Sequence, residues 1–432
     1  MKRIVLYTLL SFLYITSFAQ TATTSFEVDG IKVIWKPTTK DIIHVSMYYR
    51  GGVANYPAGK AGIENAALAA ATECGTQKFN KDAFKDKADA FGILIGGSSS
   101  YDFGNISMNC ISKYFNEGWS LFSDAITHPT FDEKEYGLLK ERLVSGLKER
   151  EANPDDRVEQ MALTSAFSGT PYAINPEGED STLSKISASD LKNYYNSILN
   201  KKRMFLVVVG KISKEDLISK IKASFASLPS KAYSPVLYKV PQFTTGIVSE
   251  ERQLATNYIM GLFNAEKMNS EEYVPYRLGI SLFSTRLFKE IRTKRNLSYA
   301  PYAYSATHLM PYGLMYVSTT DPKASVEVMV NELKKIKSQG FSADELQKAK
   351  SSFITSNYMK EESSSAIASS LGNAEVMGNW KLAEELPAKV TQTSLAQLQA
   401  AFKNVTGIKW SYLGDTKLLA EASAVFNISL SK

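Results

Sequence analysis

The segment from Ser284 to Ala300 combines a basic helix end with an aromatic stretch. Its apolar positions Leu287 and Ile291 lie four residues apart, so the sequence predicts a helix that ends in a basic, asparagine-containing turn. Arg292 and Tyr299 are separated by this turn, and both could project toward one surface. A guanidinium beside a phenol can hold a peptide carbonyl or a developing oxyanion. The competing interpretation is a basic helix end that binds its own last carbonyls.

The three histidines of the chain, His44, His128 and His308, lack the spacing of a metal site. None has a second His or Cys three or four residues away, as two ligands on one helix face require. His44 lies among apolar residues of a predicted strand and His128 precedes a proline, which favours structural roles. A composite site of His44, Cys74 and Cys110 is the alternative. We therefore expect no metal bound by this chain alone.

Candidate nucleophiles and phosphate loops are also weak. The sequence contains no G-x-S-x-G elbow, and the S-x-x-K pair of Ser145 and Lys148 lies in a charged helix, where the lysine is expected to face solvent. The stretch Gly96–Ser100 is rich in Gly and Ser but lacks the lysine and helix start of a phosphate loop. It is predicted as a strand edge or a turn. The residues thus give no self-sufficient catalytic site.

The sequence contains an internal repeat, which indicates how the candidate residues are arranged in the fold. Three residues return 210 positions later with unchanged spacing: Phe131, Glu135 and Lys140 correspond to Phe341, Glu345 and Lys350. A second set, offset by 204 positions, ends in glycine in both copies, at Gly210 and Gly414. Two sets in the same order predict a domain of about 200 residues that occurs twice.

Each copy contains the same predicted elements. An early strand and a long charged helix are the clearest of them. The strands cover Ile42–Tyr49 and Thr256–Phe263, and the helices cover Glu133–Glu151 and Ala343–Met359. The aromatic stretch Tyr299–Tyr304 is predicted as a further strand. This pattern predicts an α+β fold of two tandem homologous domains, residues 20–227 and 243–432, joined by a proline-containing linker, 228–242. Each domain is expected to be an antiparallel-rich sheet covered by helices on one side.

Composition and charge restrict the function classes. The chain has 432 residues, 44% hydrophobic and 22% charged, which is typical of globular proteins and excludes a disordered or collagen-like chain. A formal net charge of +6 over this length does not indicate a nucleic-acid partner. Cys74 and Cys110 are the only cysteines. An oxidising compartment permits a disulfide between them, but two buried thiols are the favoured interpretation.

The N-terminus has the features of a secretory signal. Lys2 and Arg3 precede an apolar run from Ile4 to Phe18, and small residues lie before a predicted cleavage site after Ala19. The run is shorter than the ~20 apolar residues of a transmembrane helix. We expect residues 1–19 to be removed and the mature chain, without a membrane span, to be exported, with the periplasm as its location. An uncleaved anchor is the alternative.

The basic segment around Arg292 resembles the C-terminal-domain signature of the pitrilysin/insulinase superfamily of zinc peptidases, in the branch that includes mitochondrial processing peptidase. The family pattern S-R-L-F-x-x-[IL]-R-x-x-x-x-[LI]-x-Y is matched here with Thr285 in place of the serine. The stretch Asn55–Gly62 and the pair Gly75-Thr76 flank the place where the family carries its zinc helix. The resemblance covers nearly all of the mature chain, and it implies the same two-domain fold.

The sequence departs from the family at the zinc helix. The inverted motif H-x-x-E-H would begin about three residues after Gly62, which puts Asn65, Leu68 and Ala69 at the positions of His, Glu and His. The count to Gly75 is one residue longer than usual, and a shift by one restores no histidine. Without two imidazoles and the glutamate base, the chain is expected to bind no zinc and to lack the activated water.

The resemblance therefore implies a non-catalytic subunit of a two-chain metallopeptidase. In the family, four domains enclose a chamber. One half supplies H-x-x-E-H, and the C-terminal domain of the other half supplies an Arg/Tyr pair. Carried over, Arg292 and Tyr299 would contact substrate in trans, and Gly97, Ser98 and Ser99 would match the sheet edge to which a peptide strand is added. The implied partner is a similar-sized H-x-x-E-H chain that holds the zinc, and the implied substrate is unfolded peptide.

A second interpretation belongs to a different class: a structural or binding protein with a peptidase-like fold and no proteolytic role. The Arg/Tyr pair would then be inherited but idle, and the chain could form homodimers. The retained pair favours the subunit interpretation. In both cases the chain alone is not expected to be an enzyme.

Overall fold

The computed structural model describes residues 22–430, and the predicted signal segment 1–19 lies outside the described residues. The described residues form two sheets surrounded by helices. The first sheet contains β1 (Thr24–Val28), β2 (Ile31–Pro37), β3 (Ile42–Arg50), β4 (Leu94–Ser99), β5 (Phe103–Ile111) and β6 (Met204–Gly210). The second sheet contains β7 (Gly246–Glu251), β8 (Asn257–Asn264), β9 (Tyr302–Ala306), β10 (Tyr312–Thr319) and β11 (Lys409–Gly414).

The helices divide between the two halves of the chain. The first half contains α1 (Ile63–Glu73), α2 (Lys81–Ala90), α3 (Phe115–Thr127), α4 (Glu133–Ala152), α5 (Pro154–Ala166), α6 (Asp180–Leu183), α7 (Ala188–Ile198) and α8 (Lys214–Phe225). The second half contains α9 (Tyr273–Leu287), which continues as a π-helix over Phe288–Thr293, and α10 (Pro322–Gln339), α11 (Ala343–Glu361), α12 (Ser364–Val376), α13 (Lys381–Gln392), α14 (Leu395–Gln399), α15 (Thr416–Glu421) and α16 (Ser423–Phe426). Short 3-10 turns cover Gly52–Asn55, Ala58–Lys60, Ser112–Tyr114 and Pro171–Ala173.

The two sheets share one strand order. The first runs β1-β2-β6-β3-β5-β4 and the second β7-β11-β8-β10-β9, so the second repeats the first without β1. In both sheets the strand that comes last in the sequence, β6 or β11, lies between two strands that come earlier. It pairs in parallel with one neighbour (β2 with β6, β7 with β11) and antiparallel with the other. The predicted α+β fold of two homologous, antiparallel-rich sheets is confirmed.

The central strands are buried on both faces, as β6 illustrates. Its sequence MFLVVVG is continuously apolar, which is the pattern of a strand covered on both sides. Met204 and Leu206 pack with the helices of the first half. Phe205 and Val207 belong to a separate apolar cluster that is completed by α12 of the second half. Each sheet thus carries its own helices on one face, and a helix from the other half covers the opposite face.

This exchange of helices is reciprocal. α12 packs on β3 and β6, and α5 packs on β8 and β11. Gly372 in α12 permits the close approach, because a Cβ there would lie 2.2 Å from the ring of Tyr48. On the other side, Ser411 Oγ donates to the Val158 carbonyl at 2.9 Å. α4 and α11 begin 210 residues apart, as do α5 and α12, so the repeated unit uses the same helix pair twice.

The starts of these helices follow from capping residues. The Asp132 side chain accepts the backbone N–H of Glu135 at the start of α4. Ser342 and Glu345 form a capping box at the start of α11. Asn153 ends α4 and caps α5. The long charged helices are therefore present where the sequence predicts them.

The aromatic strand predicted to begin at Tyr299 begins later, with β9 at Tyr302. Asn296 has a left-handed φ of 52°, and Pro301 has no N–H to donate to a ladder, so pairing with β10 starts only after the proline. Tyr299 is left outside the sheet, with 78% of its surface exposed.

Residues 228–242 form neither helix nor strand. The division of the chain at this segment stays a proposal, because one apolar cluster contains residues of both sheets, such as Leu206 and Leu262. Cys74 and Cys110 are buried and free, and burial raises their pKa to about 12 and about 11. Within residues 22–430, no helix combines the length and the apolar composition needed to cross a membrane.

Candidate functional site

The helix at the expected zinc position is α1, which carries Asn65, Leu68 and Ala69. Leu68 and Ala69 are buried apolar side chains. Gly62 precedes the helix with φ 86°, and a Cβ there would lie 2.7 Å from the Glu177 carbonyl. No group of three or more His, Cys, Asp or Glu side chains within residues 22–430 could hold a metal ion. The residues present on α1 do not fit zinc, because none of the three supplies an imidazole, thiolate or carboxylate.

The edge strand β4 is fastened to α1 where the first zinc ligand would stand. The Ser99 N–H donates to Asn65 Oδ1 at 3.2 Å. Gly97 lies directly on the helix, since a Cβ there would be 2.1 Å from the Leu68 carbonyl oxygen. Ser98 lies between Gly97 and Ser99, and its side chain forms a hydrogen bond with β5. The residues predicted at the substrate edge thus lie on the outer strand of the first sheet, and their contact with substrate stays a prediction.

A buried carboxyl group lies in the first turn of α1. Glu64 has no exposed surface, and its Oε2 accepts hydrogen bonds from Asn55 Nδ2 at 2.8 Å and from the Tyr194 hydroxyl. Its Oε1 has no partner within residues 22–430. Burial raises the Glu64 pKa to about 7, against the effect of the two hydrogen bonds and of the Arg203 charge. Sequence reasoning missed this residue, because acidic residues are common in first helical turns.

Arg292 and Tyr299 meet on the surface of the second half. Arg292 Nη1 donates to the Tyr299 carbonyl at 3.0 Å, and the guanidinium lies 3.9 Å from the centre of the Tyr299 ring and 4.9 Å from that of Phe288. Phe288 and Arg292 belong to the π-helix, a rare conformation that is frequent at functional sites. The helix-end carbonyl of Glu290 is bound instead by Arg295 Nη1, at 2.8 Å. The competing interpretation predicts a basic side chain that binds the last carbonyls of the helix. Such a side chain is present, but it is Arg295 and not Arg292.

A cavity of about 820 Å³ opens where the two halves meet. The end of β4, the helices α4 and α5, the segment 172–181 and the strand β9 line it. Its lining includes Ser99 of the predicted substrate edge, whereas Arg292 and Tyr299 are not among its lining residues. The structure therefore brings Asn65 together with Ser99 and Arg292 together with Tyr299, as two separate groups.

A buried aspartate beside this cavity joins the two halves. Asp102, at 1% exposure, accepts hydrogen bonds from the Tyr172 hydroxyl, from His308 Nδ1 at 2.8 Å and from the Leu309 N–H at 3.4 Å. The Met310 N–H in turn donates to the Tyr172 hydroxyl at 3.2 Å. The sequence carried no sign of this contact, because Asp102 and His308 are 206 residues apart. We refer to Asp102, Tyr172 and His308 as the buried clasp.

The chain has a duplicated, peptidase-like α+β fold, and its helix α1 carries no histidine or cysteine. Residues 185–353 match the family model described as "Peptidase M16 inactive domain". The chain is similar over 91% of its length to the peptidase M16 inactive domain from Pseudomonas fluorescens, with a TM-score of 0.79, 18% identity and 98% of that chain covered. This likeness to a solved structure concerns the fold.

The names of curated relatives include both a zinc protease and a non-peptidase homolog. The chain is 22% identical over 239 residues, 54% of its length, to an uncharacterized zinc protease, YmxG, of Bacillus subtilis, and 20% identical over 267 residues, 60% of its length, to the non-peptidase homolog YmxG of Helicobacter pylori. These alignments span 58% and 61% of the relatives' own length. Subunit 1 of the cytochrome b-c1 complex of Bos taurus is 21% identical over 36% of this chain and 32% of its own. The resemblance to the pitrilysin/insulinase superfamily is confirmed.

Proposed function

We propose that this chain is the non-catalytic subunit of an exported two-chain zinc metallopeptidase. It would form one half of a chamber, and a similar-sized H-x-x-E-H partner would form the other half. The partner's zinc would supply the activated water. This chain would supply surfaces that hold an unfolded peptide, with the periplasm as the expected location.

The exposed Arg292/Tyr299 pair carries this proposal. The guanidinium is held between two aromatic rings and uses Nη1 on a backbone carbonyl, so its orientation is fixed before any substrate arrives. Its remaining N–H donors can be offered to a peptide carbonyl, and a preorganised donor loses little conformational entropy on binding. Tyr299 exposes most of its ring beside it.

The edge strand β4 gives independent support. It ends the first sheet, so one side of its backbone has no neighbouring strand among residues 22–430. A peptide in extended conformation can pair with such an edge through main-chain hydrogen bonds. The small residues of the strand, Gly96, Gly97 and Ser98, leave its outer side accessible.

A structural role in a larger assembly is the second candidate function. The similarity to subunit 1 of the cytochrome b-c1 complex favours it, because the name of that relative places it in a multi-subunit complex. In this case the Arg/Tyr pair would have no substrate.

The test is peptide turnover by the complex purified with its H-x-x-E-H partner. Arg292→Ala is expected to lower turnover at least about tenfold without dissociating the complex. Arg295→Ala is the matched control, since it removes a charge from the same helix end and leaves the Arg292 stack in place. Wild-type turnover by the Arg292→Ala complex would contradict the proposed role.

A further inference from the structure

The second sheet lacks the outer strand that the first sheet has. In the first sheet β1 pairs with β2, whereas the counterpart strand β7 pairs on one side only, with β11, among residues 22–430. In the sequence the linker 228–242 takes the place of β1, just before β7. The end of the linker is bound to β8 instead: Asn264 Nδ2 donates to the Pro241 carbonyl at 2.7 Å, and the Phe243 N–H donates to Asn264 Oδ1 at 2.9 Å. The outer edge of β7 is therefore open within the described part of the chain.

This edge carries apolar side chains whose counterparts in the first sheet are buried. β2 and β7 pair in the same way with β6 and β11, so Ile247 and Val248 of β7 correspond to Val33 and Ile34 of β2. Val33 and Ile34 have no exposed surface, but Ile247 and Val248 are 38% and 37% exposed. An apolar strand edge that remains unpaired is a site at which another strand can pair.

The backbone of β7 presents hydrogen-bonding groups at the same edge. The Gly246 N–H donates to the Ile408 carbonyl at 3.2 Å, on the side of β11. Because successive residues of a strand direct their N–H and C=O groups to opposite sides, those of Ile247 and Ser249 point away from β11. These groups can form a ladder with a strand that lies outside this sheet.

We propose that β7 pairs antiparallel with β7 of a second copy of this chain, so that the second sheets of the two copies form one continuous sheet. A twofold axis keeps the same face of both sheets on one side, which requires one residue of the strand to lie opposite its own copy. With Val248 on the axis, Val248 meets Val248 of the second copy, and Ile247 exchanges backbone hydrogen bonds with Ser249 of the second copy. The exposed apolar groups of both edges would then bury each other.

The charges beside β7 favour this register. Lys409 of β11 lies over Gly246, since a Cβ at position 246 would be 3.3 Å from Lys409 Nζ. In this register Gly246 lies opposite Glu250 of the second copy, so Lys409 would join the ion pairs that this carboxylate forms with Arg157 and Arg252 of its own chain. Shifting the axis to the next residue would place Gly246 opposite Arg252 of the second copy, and Lys409 would then face a positive charge directly.

Pairing through β7 leaves the proposed peptide-binding surfaces free. β7 and β9 form opposite edges of the second sheet, and the Arg292/Tyr299 pair lies just before β9. β4 is an edge of the first sheet. Each of the two copies can therefore keep its own H-x-x-E-H partner, and the two kinds of chain stay in a 1:1 ratio. The inference goes beyond the proposed function and does not depend on it.

Sedimentation velocity of residues 20–432 tests the pairing, at concentrations from about 1 to about 100 µM. A small interface of this kind is expected to give a dimer with a dissociation constant of about 10 µM. Val248→Lys places two lysines opposite each other and should weaken the dimer at least about tenfold. Ser25→Lys, at an exposed position of β1 in the first sheet, is the matched control and should leave the dimer unchanged.

Cysteine cross-linking tests the register. Residues directly opposite each other in a non-hydrogen-bonded antiparallel pair have Cα atoms about 4.5 Å apart, a distance that a disulfide can span. Val248→Cys should therefore form a disulfide-linked dimer under mild oxidation. Ser249→Cys lies opposite Ile247 of the second copy and should form such a dimer at least about tenfold more slowly. Cys74 and Cys110 are buried, so they do not compete for the oxidant.

The outcomes decide the proposal either way. A chain that stays monomeric at the highest concentration, a dimer that a folded Val248→Lys chain retains, or equal cross-linking of the two cysteine variants overturns the pairing. Loss of the Val248→Cys cross-link when the H-x-x-E-H partner binds also overturns it, because the edge would then belong to the partner. A dimer that Val248→Lys weakens and Val248→Cys traps supports it. None of these results depends on the effect of Arg292→Ala on turnover by the complex.

Discussion

The backbone N–H of Ser99 donates to the side-chain oxygen of Asn65 at 3.2 Å, which ties the edge strand β4 to α1. Asn65 stands where the resemblance places the first zinc-binding histidine. The position at which the resemblance implies a metal ligand is thus occupied by a side chain that holds the edge strand in place.

The close contact between β4 and α1 requires glycine at position 97. In Gly97→Ala the new Cβ would lie 2.1 Å from the Leu68 carbonyl oxygen, a backbone atom that cannot move alone. We expect a loss of about 1–3 kcal/mol in the free energy of unfolding, measured by denaturant titration. Gly96→Ala is the matched control, because a Cβ at that position meets no atom within 4 Å. Equal stability of the two variants would contradict the described packing.

The buried carboxyl of Glu64 predicts a pH dependence of stability. Its pKa is raised to about 7 in the folded chain from the ordinary value of 4.5, so between these values the folded state holds a proton that the unfolded state has lost. Stability should therefore fall as the pH rises from about 4.5 to about 7, by roughly 3 kcal/mol at most from this group.

Glu64→Gln removes the titration while keeping an oxygen for Asn55 and Tyr194. Relative to the wild type, this variant is expected to gain stability as the pH rises from 5 to 8. Parallel pH profiles of the two proteins in urea unfolding would show that Glu64 titrates with an ordinary pKa.

The buried clasp should contribute strongly to the union of the two halves. Asp102→Ala leaves the Tyr172 hydroxyl and the His308 ring without their acceptor in a buried place. The expected loss is about 3 kcal/mol or more in the free energy of unfolding. Asp86→Ala, on the exposed face of α2, should change it by less than about 0.5 kcal/mol. A clasp variant as stable as this control would show that the contact joins the halves only weakly.

The two cysteines give a chemical test of burial. Cys74 and Cys110 are buried thiols with raised pKa values, and the thiolate is the reactive form. The native chain should therefore not react with a thiol reagent at pH 8. Both thiols should react after unfolding without reductant. Absence of reactive thiols in the unfolded, unreduced chain would reveal a disulfide.

Much of the fold could be predicted from local patterns. The two long charged helices could be predicted and mark the repeat, because helical periodicity acts within a few residues. The exchange of α5 and α12 between the halves could not be predicted, since it depends on shapes such as Gly372 against Tyr48 that meet only in the folded chain.

The contacts of the candidate site also fall into two groups: those that the local sequence predicts and those that only tertiary packing creates. Arg292 and Tyr299 are seven residues apart, and their contact follows from one helix end and the turn behind it. Asp102 with His308, and Glu159 with Tyr304, are brought together by tertiary packing, and neither pair has a spacing that sequence reasoning can detect. His308 lacks the spacing of a metal ligand, and the structure places it in the clasp.

The most direct test of the central claim is the native mass and composition of the complex recovered when this protein is tagged and purified from its own cells. The account predicts a 1:1 assembly with a similar-sized H-x-x-E-H chain, zinc bound at about one ion per assembly, and peptide hydrolysis by the assembly but not by this chain alone. A homodimer, or an assembly with unrelated proteins and no zinc, would contradict it.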